Sequence, residues 1–194
     1  MKLQGTSHNI SIFQVYAPTS ASTDEELEEF YEKLQAEYDN CHKSDVKVIM
    51  GDLNAKVGKY QDSSEQGLIG KHGLGERNQR GQHLIDFCIE NELVVTNTTF
   101  QNHPRRLYTW TSPDGNTKNQ IDYIMIEKRW RTSVLACKTL PSADCGSDHE
   151  LLMSVLKLRL KLKKPTKKPT RYDLSAIQLN IPYRLEVKKS LQLS

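Results

Sequence analysis

The sequence predicts one α/β domain of mixed, β-rich order, followed by a basic tail. Three observations carry this expectation. Short apolar runs rich in β-branched residues recur over residues 9–160, two segments show helical periodicity, and beyond residue 160 the chain turns to Lys, Pro and Thr. With 194 residues, 37% hydrophobic and 26% charged, the chain has the size and composition of an ordinary soluble domain with a core.

Asn9 to Tyr16 alternates apolar and polar residues and reads as a strand that Pro18 ends. Thr23-Asp24-Glu25-Glu26 is a capping box. The helix it opens carries Leu27, Phe30, Tyr31, Leu34 and Tyr38 on one face. Val46 to Met50 is a short buried strand leading into a turn at Asp52. Gly58 to Gly75 reads as a Gly-rich surface loop, and Gln79 to Asn91 as a second helix with Leu84, Ile85, Phe87 and Cys88 inward. Leu93 to Asn97 is a further strand. Tyr108 to Ser112 and Asn119 to Ile126 flank Pro113-Asp114-Gly115-Asn116 as a hairpin. Val134 to Leu140 and Leu151 to Leu160 complete a set of about seven strands and two helices. The run Lys163-Lys164-Pro165 suits neither helix nor central strand. The expected division is therefore 1–160 as the domain and 161–194 as the tail.

Three short motifs concentrate the chemistry: Gly51-Asp52-Leu53-Asn54, Ile121-Asp122-Tyr123-Ile124 and Ser147-Asp148-His149. Each sets an Asp beside an apolar run, where a strand end can expose it at the rim of a sheet. Asp52 could take a proton from water while Asn54 holds that water or a phosphate oxygen; alone, Asp-x-Asn is commonly an Asx turn. Asp148 offers a hard oxygen ligand and His149 a proton donor or acceptor near neutral pH. Asp122 interrupts an apolar run, and His149 is its natural partner; the plain alternative is an outward-facing strand residue. Tyr16 could donate to a phosphate oxygen and Trp110 could stack on a base, although both are residue types that commonly pack in cores.

Taken in order, Tyr16-Ala17-Pro18, Gly51-Asp52-Leu53-Asn54, Tyr108-Thr109-Trp110, Ile121-Asp122-Tyr123-Ile124 and Ser147-Asp148-His149 resemble the endonuclease/exonuclease/phosphatase superfamily. Gly75 to Gly81, ahead of the second helix, is most similar to its non-LTR retrotransposon type, the craniofacial development protein 2-like branch. The resemblance implies a DNase I-like four-layer α/β sandwich and phosphodiester hydrolysis with Mg²⁺, for which Mn²⁺ can substitute. It implies that Asp52 activates water, Asn54 positions it, Asp122 orients His149 at the scissile phosphate, Asp148 ligates the metal and Tyr16 supports the phosphate. Asn78 and Trp110 would touch nucleic acid, DNA in the first instance. The family's N-terminal half supplies a strand-end Asn and a Gln-Glu pair whose Glu is a metal ligand. No such motif precedes Tyr16, so the resemblance implies an incomplete sandwich with N-terminal strands missing and an exposed sheet edge.

Charge gives a second reading. Residues 1–156 hold 16 Lys and Arg against 22 Asp and Glu, whereas 157–194 hold 11 against 2. The basic tail suits either a nucleic-acid contact or a solvated segment, so the alternative function is a non-catalytic nucleic-acid or chromatin-binding remnant. A lipid-phosphate phosphatase of the same superfamily would want a basic pocket in the body, where only Arg105-Arg106 and Arg129 to Arg131 cluster. No run approaches a membrane span, and Met1 to Gly5 lacks an apolar secretory core. Cys41, Cys88, Cys137 and Cys145 lack metal-knuckle spacing and read as reduced thiols. The expected location is intracellular and nuclear.

Overall fold

The computed structural model describes residues 1–5, 8–141, 143 and 146–158. The expected tail, 161–194, and Cys145 lie outside them. The described residues form nine strands and two α-helices: β1 Lys2–Leu3, β2 Ile10–Tyr16, α1 Asp24–Asn40, β3 Val46–Asp52, α2 Gln79–Glu90, β4 Leu93–Val95, β5 Trp110–Thr111, β6 Lys118–Asn119, β7 Asp122–Glu127, β8 Val134–Leu140 and β9 Leu151–Leu156. The main sheet has the order β1-β2-β3-β7-β4, while β5-β6 and β8-β9 are separate antiparallel pairs.

Strand β3 is the axis of the sheet. It runs parallel to β2, with Ile10 opposite Val46 and Tyr16 opposite Asp52. On its other side it runs antiparallel to β7, with Ile49 opposite Met125 and Asp52 opposite Asp122. Tyr123 to Ile126 are all buried, so both faces of β7 are covered. On one face α2 approaches, with Cys88 Sγ 3.5 Å from Met125 Sδ. Lys47, on that face of β3, donates to the Tyr38 carbonyl of α1 at 2.9 Å and lies over the Tyr38 ring. The other face carries Ile124 and Ile126, and β9 lies against β7. The mixed α/β class expected from the sequence is what forms.

Helix α1 begins as its local sequence dictates. Glu26 N–H donates to Thr23 Oγ1 and Thr23 N–H to Glu26 Oε2, at 3.3 and 3.1 Å, closing a capping box on orphan amides of the first turn.

Strand β9 ends at Leu156 and β5 spans only Trp110–Thr111, both shorter than expected, and three further departures have a visible cause. The 58–75 segment is not simply a surface loop: Leu68 and Ile69 are buried, and buried Glu65 receives both terminal nitrogens of Arg77 at 2.6 and 2.8 Å. A bidentate pair satisfies that carboxylate and lets the loop pack inward. Strand β4 stops at Val95 rather than Asn97, because residues 96–98 form a 3-10 turn. The Asn97 side chain takes over there, donating to Asp122 O at 3.0 Å and accepting from Ile124 N at 3.3 Å. The expected 119–126 strand is split: β6 pairs with β5, whereas β7 joins the main sheet. Between them Thr109 Oγ1 accepts from both Ile121 N–H and Asp122 N–H at 3.0 Å, replacing ladder bonds while the chain changes sheets.

Candidate active site

Register brings three of the sequence-selected residues into one row. Tyr16 ends β2, Asp52 ends β3 and Asp122 starts β7, and Asp52 is opposite both of the others. Cross-strand partners project from the same face, so a tyrosine and two carboxylates share the rim. Tyr16 is 69% exposed and therefore does not act as a core aromatic.

Gly51 shapes the approach to Asp52. Its φ is +143°, and a Cβ there would sit 1.9 Å from the Val15 carbonyl oxygen, so β2 and β3 close together only over a glycine. Past Asp52 the chain turns sharply. Asn54 has φ +47°, its N–H donates to Asp52 Oδ1 at 2.9 Å and its Nδ2 donates to Ala17 O at 2.8 Å. The Asx turn that the sequence offered as the plain alternative is present. It also fixes Asp52 and Asn54 on the wall of one cleft.

That cleft, of about 550 Å³, is lined by Tyr16, Asp52, Asn54, Asn78, Trp110, Asp148 and His149 among others. Seven of the eight selected side chains are therefore in its walls. The eighth, Asp122, lies behind His149, whose Nδ1 is 3.0 Å from Asp122 Oδ2. The expected Asp122–His149 pairing thus forms in the structure, at side-chain exposures of 18% and 31%. An Nδ1–H donated to this carboxylate leaves Nε2 as the second functional nitrogen.

The 147–150 turn that carries His149 is tied to the β5 segment. Thr111 N–H donates to Asp148 O and Glu150 N–H to Thr109 O, at 3.0 and 2.8 Å, and Trp110 faces His149 in an isolated antiparallel bridge. Trp110 Nε1 also donates to Asp148 Oδ2 at 2.8 Å. One oxygen of the expected metal ligand is thereby engaged by an indole. Asn78 caps α2: its Oδ1 accepts from Gly81 N–H and from Lys56 N–H, at 2.8 and 2.9 Å, leaving its amide nitrogen as the group it can offer to the cleft.

Electrostatics single out Asp52. Burial pushes its carboxyl above the ordinary aspartate range; the Asn54 N–H opposes the rise, and the neighbouring Asp122 and Asp148 carboxylates add to it, with His149 working against them. A site holding several carboxylates favours a cation. One ligand atom each from Asp52, Asp122 and His149 lie within 4.8 Å of one another, two hard oxygens and an imidazole nitrogen. This donor set fits a divalent ion, with the carboxylates suiting Mg²⁺ or Mn²⁺. Asp148 is not one of these three residues.

Sequence reasoning assigned no role to Lys56, Ser20 and Ile121, which also line the cleft, or to Thr109. Lys56 lies two residues beyond Asn54, the same spacing that drew attention to Asn54 after Asp52. Thr109 sits inside a motif that was noticed for its aromatic neighbours.

A family model described as endonuclease-reverse transcriptase matches residues 10–153. Craniofacial development protein 2 of Bos taurus is 50% identical over 162 residues, 84% of this chain and 27% of that protein. The Tragulus javanicus protein of the same name is 49% identical over 162 residues, 84% and 28% of the two lengths. The chain thus spans little more than a quarter of the curated relatives it matches. Among solved structures, it is similar to the endonuclease domain of TRAS1, a telomere-specific non-LTR retrotransposon, with a TM-score of 0.55 and 14% identity over 82% of this chain and 63% of that one. The 3′ phosphatase NExo from Neisseria, bound to product DNA hairpin, gives a TM-score of 0.53 and 18% identity over 79% and 62%. At such identities the two likenesses speak for the fold. No helix among the described residues is long and apolar enough to cross a membrane. By the model match over residues 10–153, the chain belongs to the endonuclease/exonuclease/phosphatase superfamily, in its endonuclease-reverse transcriptase family.

Proposed function

We propose that the cleft hydrolyses phosphodiester bonds of nucleic acid, DNA in the first instance, with Mg²⁺ or Mn²⁺ as cofactor. The observation that carries this reading is the Asp122–His149 pair set beside the Asp52 carboxylate in one half-open cleft. Asp122 fixes the imidazole through Nδ1, so that Nε2 faces the phosphate and, in the imidazolium form, donates to one of its oxygens. Asp52, raised in pKa, is the base that takes a proton from the attacking water, and Asn54 positions that water. Tyr16 and Asn78 hold the phosphate and its flanking sugar, and Trp110 offers its exposed surface to a base. Asp148 would supply an oxygen ligand to the cation. A cation bound there supplies charge neutralisation at the phosphoryl oxygens.

The test is nicking of supercoiled plasmid in Mg²⁺, with Asp52→Ala and Asp148→Ala alongside. Loss of the Asp52 base lowers the rate by about 10²- to 10⁴-fold and loss of Asp148 lowers it too, with circular dichroism showing that each variant is folded. Cleavage that survives both substitutions means the chemistry lies elsewhere.

The indole bond to Asp148 favours a second reading, in which nucleic acid is bound and not cut. Its signature is Mg²⁺-independent binding that weakens steeply with salt and disappears when residues 157–194 are deleted, with no nicking at any Mg²⁺ concentration.

A further inference from the structure

The two helices lie side by side with a groove of about 600 Å³ between them, on elements that contribute nothing to the cleft wall except the cap at Asn78. The floor is apolar: Leu27 and Phe87 are buried, and the Tyr31 ring meets the Phe87 ring at 5.3 Å. One end is closed by Gln35 and Asn91, whose amides exchange hydrogen bonds of 3.0 and 2.7 Å. The walls are acidic. Glu28, Glu32 and Asp39 stand on α1 and Asp86 and Glu90 on α2, all five exposed, with His83 of α2 beside them in the lining.

Among the described residues, none of these five makes an ion pair. The side-chain donors to Asp39 and Asp86 among the described residues are the neutral amides of Gln35 and Gln82. Glu28 with Glu32, and Asp86 with Glu90, are like charges one helical turn apart, a spacing that disfavours the helix that carries it. Two repelling rows facing each other across an apolar strip are complementary to a ligand with an apolar stripe and cations on both flanks. Their spacing selects its form, because Lys or Arg at i and i+4 of a docked helix repeats at the same interval as the carboxylates. From Glu28 to Asp39 the wall runs about three turns, the length of a short helix. Nucleic acid, carrying the same sign of charge, is repelled.

We propose that the α1–α2 groove is a docking surface for a basic amphipathic helix of another protein. The proposal is independent of hydrolysis in the cleft.

The experiment uses the whole chain and a fluorescein-labelled Leu/Lys peptide of about 14 residues, with Leu at helical spacing and Lys on both flanks, followed by fluorescence anisotropy. Binding should saturate and weaken with salt. The variant Glu28→Gln/Glu32→Gln/Asp86→Asn/Glu90→Gln should bind about tenfold more weakly, with unchanged helical circular dichroism. Removing charge elsewhere, in Glu37→Gln/Glu76→Gln, should leave binding as it was. A scrambled peptide of equal composition but no apolar stripe should bind poorly. Equal binding of parent and groove variant, equal binding of the scrambled peptide, or no binding by the parent overturns the proposal. Retention of binding in Asp52→Asn/His149→Ala separates its fate from that of the hydrolase reading.

Discussion

Two aspartates mark the two ends of β3, and their surroundings are opposite. Asp45, just before the strand, is 1% exposed and receives Lys2 Nζ at 2.7 Å, Ser11 Oγ at 3.0 Å and the Asn9 amide at 3.4 Å. The Lys2 hydrogen bond, with those from Ser11 and Asn9, holds its carboxyl below the usual aspartate range in spite of burial. Asp52, at the far end, is only half-buried yet is pushed upward, with two further carboxylates nearby. One charge is fully answered by donors, and the other is left in excess. Burial alone would have ranked them wrongly. The sign of the perturbation separates a carboxylate answered by donors from one crowded by its own charge.

That contrast can be broken at several points. The largest effect is expected at Gly51, whose replacement by Ala puts a methyl 1.9 Å from Val15 O. Backbone must move, Asp52 moves with it, and urea unfolding should show a loss of several kcal/mol, on the order of 3 or more. Next comes Thr109→Val, which keeps the shape but strands the Ile121 and Asp122 amides. A loss of about 1–3 kcal/mol is expected, together with a broadened or shifted His149 imidazole resonance because Asp122 is no longer fixed. The smallest change is at Asp45, and its pH dependence is the informative part. Because the folded-state pKa is depressed, the stabilisation is complete above the unfolded value, about 3.9, and is lost as pH falls through the folded value. Asp45→Asn should therefore be less stable than the parent at neutral pH, and the difference should close in acid. A gap that stays constant with pH would mean that shape, rather than charge, does the work at that end of the strand.

The same contrast shows what could be read without coordinates. The capping box of α1 was legible because its partners are three residues apart. The Asp52, Asp122 and His149 set was legible because each side chain sits at a chain punctuation mark and their order resembles one family. What escaped depends on contacts distant in sequence. The β6–β7 break is made by a hydroxyl 12 and 13 residues away. The inward packing of the 58–75 segment rests on Arg77 reaching Glu65, and nothing local in a Gly-rich stretch announces that. The sequence marks Asp148 for metal and Trp110 for a base, and nothing in it shows that the two hold each other. The end of β4 was misjudged because an amide side chain at Asn97 imitates backbone closely enough to continue the pairing after the strand has stopped.

The outer side of β2 has a consequence of its own. Strand β1 reaches only Ile10 and Ser11, with Met1 bonded to Ile12. By alternation the main-chain groups of Gln14 and Tyr16 then face outward with no strand beside them among the described residues. Any extended polypeptide that zipped onto this hem would end next to the Tyr16 phenol, at the mouth of the cleft. A strand added along that seam would therefore narrow the way into the cleft, and self-association and nicking should be measured on the same sample and at the same concentration.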